Sequence, residues 1–117
     1  PEAADRFSVF DIITGEMDRT FDYIVMSGLL NLDFGDGLNM QMTEKMFKQA
    51  HKYANIGYAI SMTSTLTKKP SPDAFYYDPG KVLYIAAAQC NNFRLDHSYM
   101  PHDFTVFCYK DDFYSKK

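Results

Sequence analysis

Two cysteines, Cys90 and Cys108, are all that the 117 residues contain. That is too few for a disulfide-dense mini-protein, and too few for a zinc site without histidines. They form one bridge, with each other or with a partner chain, or they remain two buried thiols; the expectation taken here is that they are oxidised. No run of about 18 apolar residues occurs, so no helix of membrane-spanning type is encoded. The start, "PEAADR", lacks the basic and then apolar pattern of a signal peptide, although a mature secreted chain would look the same. None of Asn31, Asn39, Asn55, Asn91 and Asn92 has a hydroxyl residue two positions on, so there is no glycosylation acceptor. Gly-x-Ser-x-Gly, a Gly-rich phosphate loop and His-Glu-x-x-His are missing too.

Basic charge is scarce. The net charge is −3 with a pI near 5.5, which argues against nucleic acid as a partner. Residues 1–40 carry eight acids and two bases, whereas residues 41–69 carry one acid and five lysines. What the chain does have is apolar material. A hydrophobic fraction of 46%, with ten Phe and nine Tyr, supplies a core for one domain spanning 1–117 and makes disorder over most of the length untenable.

From Asp5 to Leu30 the apolar residues Phe7, Phe10, Ile13, Met17, Phe21 and Ile24 recur at helical spacing, with Gly15 as a break. Residues 1–41 therefore read as helical. "NLDFGDGLNM" is turn chemistry centred on Asp36-Gly37, and Thr43 reads as the N-cap of a helix running to Ile60. Met46, Ala50, Tyr53, Gly57 and Ile60 share one face of that helix, and Lys45, Lys48, Gln49, Lys52 and Asn55 the other. The lysine face is a docking surface for anionic lipid or an acidic partner on one reading, and simply solvated on the other. A glycine on a buried face marks close approach by a neighbour, so Gly57 should face tightly packed structure.

"TLTKKPSPDAFYYDPGK" reads as a loop, and "VLYIAAAQC" as a strand or a buried helical turn. "NNFRL" and "FTVFCYK" read as strands joined through "DHSYMPHD", with Pro101 in the turn. The expected fold class is α+β, with N-terminal helices followed by a few strands.

"DHSYMPHD" places Asp96, His97, His102 and Asp103 within eight residues. A metal or acid–base site is one reading, but a zinc would need Cys90 or Cys108 as a further ligand. Solvated turn formers are the other, and the preferred one. Asp111-Asp112 sits where surface charge is expected. No catalytic, cofactor-binding or metal-ligating residue is assigned, and no cofactor is implied.

"KYANIGYAIS", "KKPSPDAF", "QCNNF" with Cys90 and Phe93, and "FTVFCYKDDFYSKK" occur in an order that resembles the N-terminal region of secreted fungal class 3 triacylglycerol lipases. The resemblance covers residues 42–117. It departs at Ala59 and at Ala86 to Ala88, where the family has cysteines. It implies an incomplete N-terminal piece of an α/β-hydrolase-like fold, secreted, with the acyl-ester chemistry of a Ser–Asp/Glu–His triad carried by a second polypeptide chain. Lys116-Lys117 at the end fits secretory processing at a dibasic pair, whereas Pro70 would block cleavage after Lys68-Lys69. The alternative is a non-enzymatic secreted toxin- or effector-like subunit that binds a protein partner or a membrane.

Overall fold

A computed structural model describes residues 18–27, 33–35, 37–68, 70–72, 74–99 and 101–110. Its elements alternate: β1 (Phe21–Ser27), α1 (Leu38–Tyr53), β2 (Ala54–Thr63), α2 (Pro79–Gln89), β3 (Asn92–Asp96) and β4 (Asp103–Tyr109). The four strands form one sheet in the order β1-β2-β4-β3. β1 pairs parallel to β2, and β4 pairs antiparallel to both β2 and β3. Three strands therefore run the same way with one inserted against them. This is an α/β mixed sheet, and it replaces the expected order of helices first and strands later.

Residues 21–27, expected to be helical, are the edge strand β1; the part of that expectation on residues 5–17 and 28–30 lies outside the described residues. Ile24 and Met26 of β1 turn toward the core, while Tyr23 and Val25 are exposed. Apolar residues on both faces hide the two-residue period that marks a strand.

The turn before α1 is where the sequence places it. Gly37, in the left-handed region at φ 76°, is the N-cap. Thr43 is not a cap: it lies within α1, buried, and its hydroxyl donates to the Asn39 carbonyl at 2.7 Å. The helix expected to reach Ile60 stops at Tyr53, and "ANIGYAISMT" is β2. Tyr58, Ile60 and Met62 point into the core at a period of two. "VLYIAAAQ" is helical because Asp78 caps α2 through its carboxylate, which accepts from the Gly80 and Lys81 amides. Pro79 opens the first turn.

Both helices cover the same face of the sheet. Met46, Phe47 and Ala50 of α1 and Val82 and Ala86 of α2 join Tyr58, Ile60, Met62, Phe104, Val106 and Cys108 in one core. On the opposite face, Val25 is 75% and Tyr23 59% exposed beside half-buried Ala59, Phe107 and Tyr109. Gly57 sits on that face. A Cβ there would lie 2.6 Å from the Cys108 carbonyl oxygen, so the tight neighbour expected from the sequence exists, as the backbone of a paired strand.

The cysteines are not bridged. Both are free and buried. Cys108 lies opposite Phe93 in the β3–β4 pair, while Cys90 occupies the C-cap of α2. The Cys90 thiol donates to the Tyr109 carbonyl. The expected hairpin exists, but Cys90 precedes its first strand, and its thiol adjoins that of Cys108 from the end of α2 without a bond between them.

Candidate functional site

One margin of the sheet carries a row of polar side chains. β1, β2 and β3 end there at Ser27, Thr63 and Asp96, and β4 begins there at Asp103. The register sets Ser27 opposite Ser61, Thr63 opposite Asp103 and Asp96 opposite Thr105. In open α/β sheets, the carboxyl ends of the parallel strands are where ligands bind. A cavity of about 560 Å³ opens here, lined by Thr63, Thr67, Lys68, Tyr76, Pro101 and His102.

The β2–α2 loop is tied down to form its wall. The Tyr77 amide donates to the Thr63 carbonyl at 2.8 Å, and the Thr65 amide to the Tyr77 carbonyl at 3.0 Å. The Thr63 hydroxyl donates to the Phe75 carbonyl at 2.5 Å. The anchor is Tyr77, wholly buried, whose phenol oxygen accepts from Asn39 Nδ2 at 2.9 Å. Burial pushes the Tyr77 phenol above its ordinary pKa. Its neighbour Tyr76 lines the cavity instead. On the other side, the Ser64 amide donates to the His102 carbonyl at 2.8 Å and carries the β3–β4 loop to the cavity's edge.

Beneath the cavity, on the core side, Ser64 is fully buried. Its Oγ lies 2.8 Å from His97 Nε2 and accepts from the Leu66 amide at 3.1 Å. The His97 ring stacks on Phe104 with centroids 6.2 Å apart. These contacts hold the imidazole and occupy the serine, so the pair is a fixed strut and Ser64 is no exposed nucleophile. On the opposite face, Thr105 Oγ1 stands 2.7 Å from both Ser61 Oγ and Tyr99 Oη, a chain of three hydroxyls across β2 and β4. Beside them, Asp103 Oδ1 is sealed from solvent with no hydrogen-bond partner among the described residues. A buried carboxylate oxygen left this way costs roughly 1–3 kcal/mol, so such atoms are rare in folded proteins.

The "DHSYMPHD" residues are therefore divided among different jobs. His97 faces the core and His102 the cavity. Asp96 binds the Ser98 amide at 2.9 Å and the Ser98 hydroxyl at 2.5 Å, bonds that hold its carboxyl below the usual range. Among the described residues no three His, Cys, Asp or Glu side chains converge on a point where a metal could sit. Asp111-Asp112 lies outside the described residues. Of Thr67, Lys68 and Tyr76 only Lys68 stood out in the sequence, and then as half of a dibasic pair, because a cavity assembled from two loops has no linear motif.

No protein-family model and no curated protein sequence matches this chain. Its fold is similar to magnesium protoporphyrin IX methyltransferase from Synechocystis PCC 6803, in crystal structures with bound SAH and with bound SAM. The TM-score is 0.58 for both, at 8% and 10% sequence identity, over 86% of this chain. The chain spans less than half the length of those proteins, 48% and 43%. At such identities the likeness is one of fold: four strands and two helices resembling part of a methyltransferase Rossmann-like domain. This overturns the resemblance to class 3 lipases. "KYANIGYAIS", matched there to an N-terminal helix, is a helix end followed by an interior strand, so the correspondence fails at its best-matched stretch.

Proposed function

We propose that this chain is one half of a SAM-dependent methyltransferase domain, the half that presents the methyl acceptor. The observation that carries the reading is the strand order β1-β2-β4-β3 with both helices on one face, in a fold similar to methyltransferase structures. A doubly-wound sheet has two βαβαβ halves, and the first βα turn of the first half carries the glycine fingerprint that approaches the nucleotide. The turn before α1 holds Gly35 and Gly37, but Met40 stands where the third glycine of that fingerprint would fall, which favours the second half. Fold likeness alone is analogy. The added support is a cavity at the carboxyl ends of the strands, lined by hydroxyls, a lysine and a histidine.

The completing unit, on the same polypeptide or on a second one, would pair along the outer edge of β1, which no other described strand covers. It would also cover the apolar face at Tyr23, Val25, Ala59 and Phe107, and would bring the glycine-rich turn for SAM. A photo-crosslinker at Val25, introduced in the native host, tests this. The expected product joins Val25 to a segment with a glycine-rich strand–turn–helix, and the joined material binds SAM where residues 1–117 alone do not. A cross-link to any other kind of segment, or assembled material without SAM affinity, sinks the reading.

A further inference from the structure

Two loops meet over the cavity at the end of β2, and one residue anchors both. Ser64 is fully buried. Its amide donates to the His102 carbonyl at 2.8 Å, and its carbonyl accepts from the Thr67 amide at 3.2 Å. The first bond seats the β3–β4 loop, and the second seats the turn that leads to Lys68. Backbone bonds to a single anchor thus bring two nitrogen-bearing side chains, Lys68 and His102, to one cavity. An ammonium brings three N–H donors, and an imidazole offers at least one whatever its protonation state. Among the described residues no carboxylate lines the space: Thr63, Thr67, Tyr76 and Pro101 complete it. Asp103, next to His102 in the chain, keeps its unpartnered oxygen sealed from solvent. The Thr63 hydroxyl is spent on the Phe75 carbonyl. No acid of the lining therefore neutralises Lys68. The whole chain has a net charge of −3, so the positive sign belongs to this place and not to the molecule. The Tyr76 ring and Pro101 add apolar surface, and at about 560 Å³ the space suits a small molecule.

We propose that this cavity binds a small aromatic acid, its carboxylate between Lys68 and His102 and its ring against Tyr76 and Pro101. Charge-assisted hydrogen bonds, about twice as strong as neutral ones, supply the preference for an anion. Naming that ligand as the methyl acceptor rests on the methyltransferase reading; the binding itself rests on the cavity. The test is a titration of nitrogen-15-labelled protein with benzoate, benzamide, benzylamine and acetate. Saturable shifts at Thr67, Lys68 and His102 are expected for benzoate. Benzamide, which keeps the ring and loses the charge, and acetate, which keeps the charge and loses the ring, should bind more weakly, and benzylamine not at all. Lys68→Gln, at an exposed site, should weaken benzoate by about tenfold and leave benzamide unchanged. Lys48→Gln, exposed on α1 and outside this lining, should change neither. Benzamide, benzylamine or acetate binding as tightly as benzoate, no saturable shift, or an equal loss of benzoate in both variants overturns the proposal. SAM binding by the assembled protein is measured separately. Selective benzoate binding in material that never binds SAM would keep the anion site and remove its role as acceptor site. SAM binding without benzoate binding would overturn the anion site and leave the methyltransferase reading in place.

Discussion

Gly57 lies opposite Tyr109, and the Cβ it lacks would stand 2.6 Å from the Cys108 carbonyl oxygen and 3.3 Å from the Tyr109 ring. A backbone oxygen held in a sheet cannot step aside as a flexible side chain can. Gly57→Leu should therefore destabilise the protein by about 1–3 kcal/mol through overpacking, while Lys48→Leu on the exposed face of α1 should change little. Urea unfolding of the two variants decides it. A Gly57→Leu protein as stable as the parent would mean that β2 and β4 do not approach this closely.

Neither thiol should react in the native state. Burial is the main cause that pushes the Cys108 thiol from an ordinary 9.0 up to about 12, and it also raises the Tyr58 phenol beside it. At pH 8, iodoacetamide should modify Cys90 and Cys108 only after denaturant is added, and non-reducing peptide mapping should find no bridge. The linkage has a definite sign. A group whose pKa is raised on folding adds stability that is full below the unfolded value and lost as pH climbs to the folded one. Stability should fall between about pH 9 and 12. The fall should be shallower in Cys108→Ala but still present, because Tyr58 and Tyr77 are raised as well.

Ser64→Ala should cost roughly 1 kcal/mol, since it deprives His97 Nε2 and the Leu66 amide of their partner in a part-buried place. Thermal unfolding gives the magnitude. Amide exchange at Leu66 and Ser98 should quicken more than exchange in α1, and uniform quickening would deny that the strut is local.

Val25→Lys should leave the stability of residues 1–117 within about 0.5 kcal/mol, because Val25 is 75% exposed. It should nonetheless prevent association with the unit proposed to pair along β1, since a charge would be buried there unpaired. Sedimentation of parent and variant in the presence of that unit tests the second half of the expectation.

Some of the fold was legible in the residues. The β3–β4 hairpin could be read because "NNFRL" and "FTVFCYK" are short, rich in strand-forming residues and separated by Pro101. The turn at Gly37 was visible for the same local reason. The α1–β2 junction was not. Tyr53, Gly57 and Ile60 satisfy a helical period, Tyr58, Ile60 and Met62 a strand period, and no glycine or proline marks Ala54 where one gives way to the other. Pairing with β1 and β4 settled a choice that local propensity left open. Of the site, His102 and Asp103 stood out only as members of a polar loop. Their separation from His97 depends on which way each residue leaves the end of a strand, and that is set by pairing with Thr63 and Ser64.

The place of β4 bears on how the molecule comes together in time. Among the described residues it is the last strand in sequence yet the third across the sheet, and β3 touches β2 only through it. While Asp103–Tyr109 is still inside a ribosome, β1, α1 and β2 can meet, but β3 has no strand to join and Met62, Ile60 and Tyr58 have no Phe104, Val106 or Cys108 alongside. Cooperative closure must wait for almost the last described residue to emerge. Nascent chains halted before Phe104 should be open to protease, and those extended beyond Lys110 by enough residues to clear the exit tunnel should resist it.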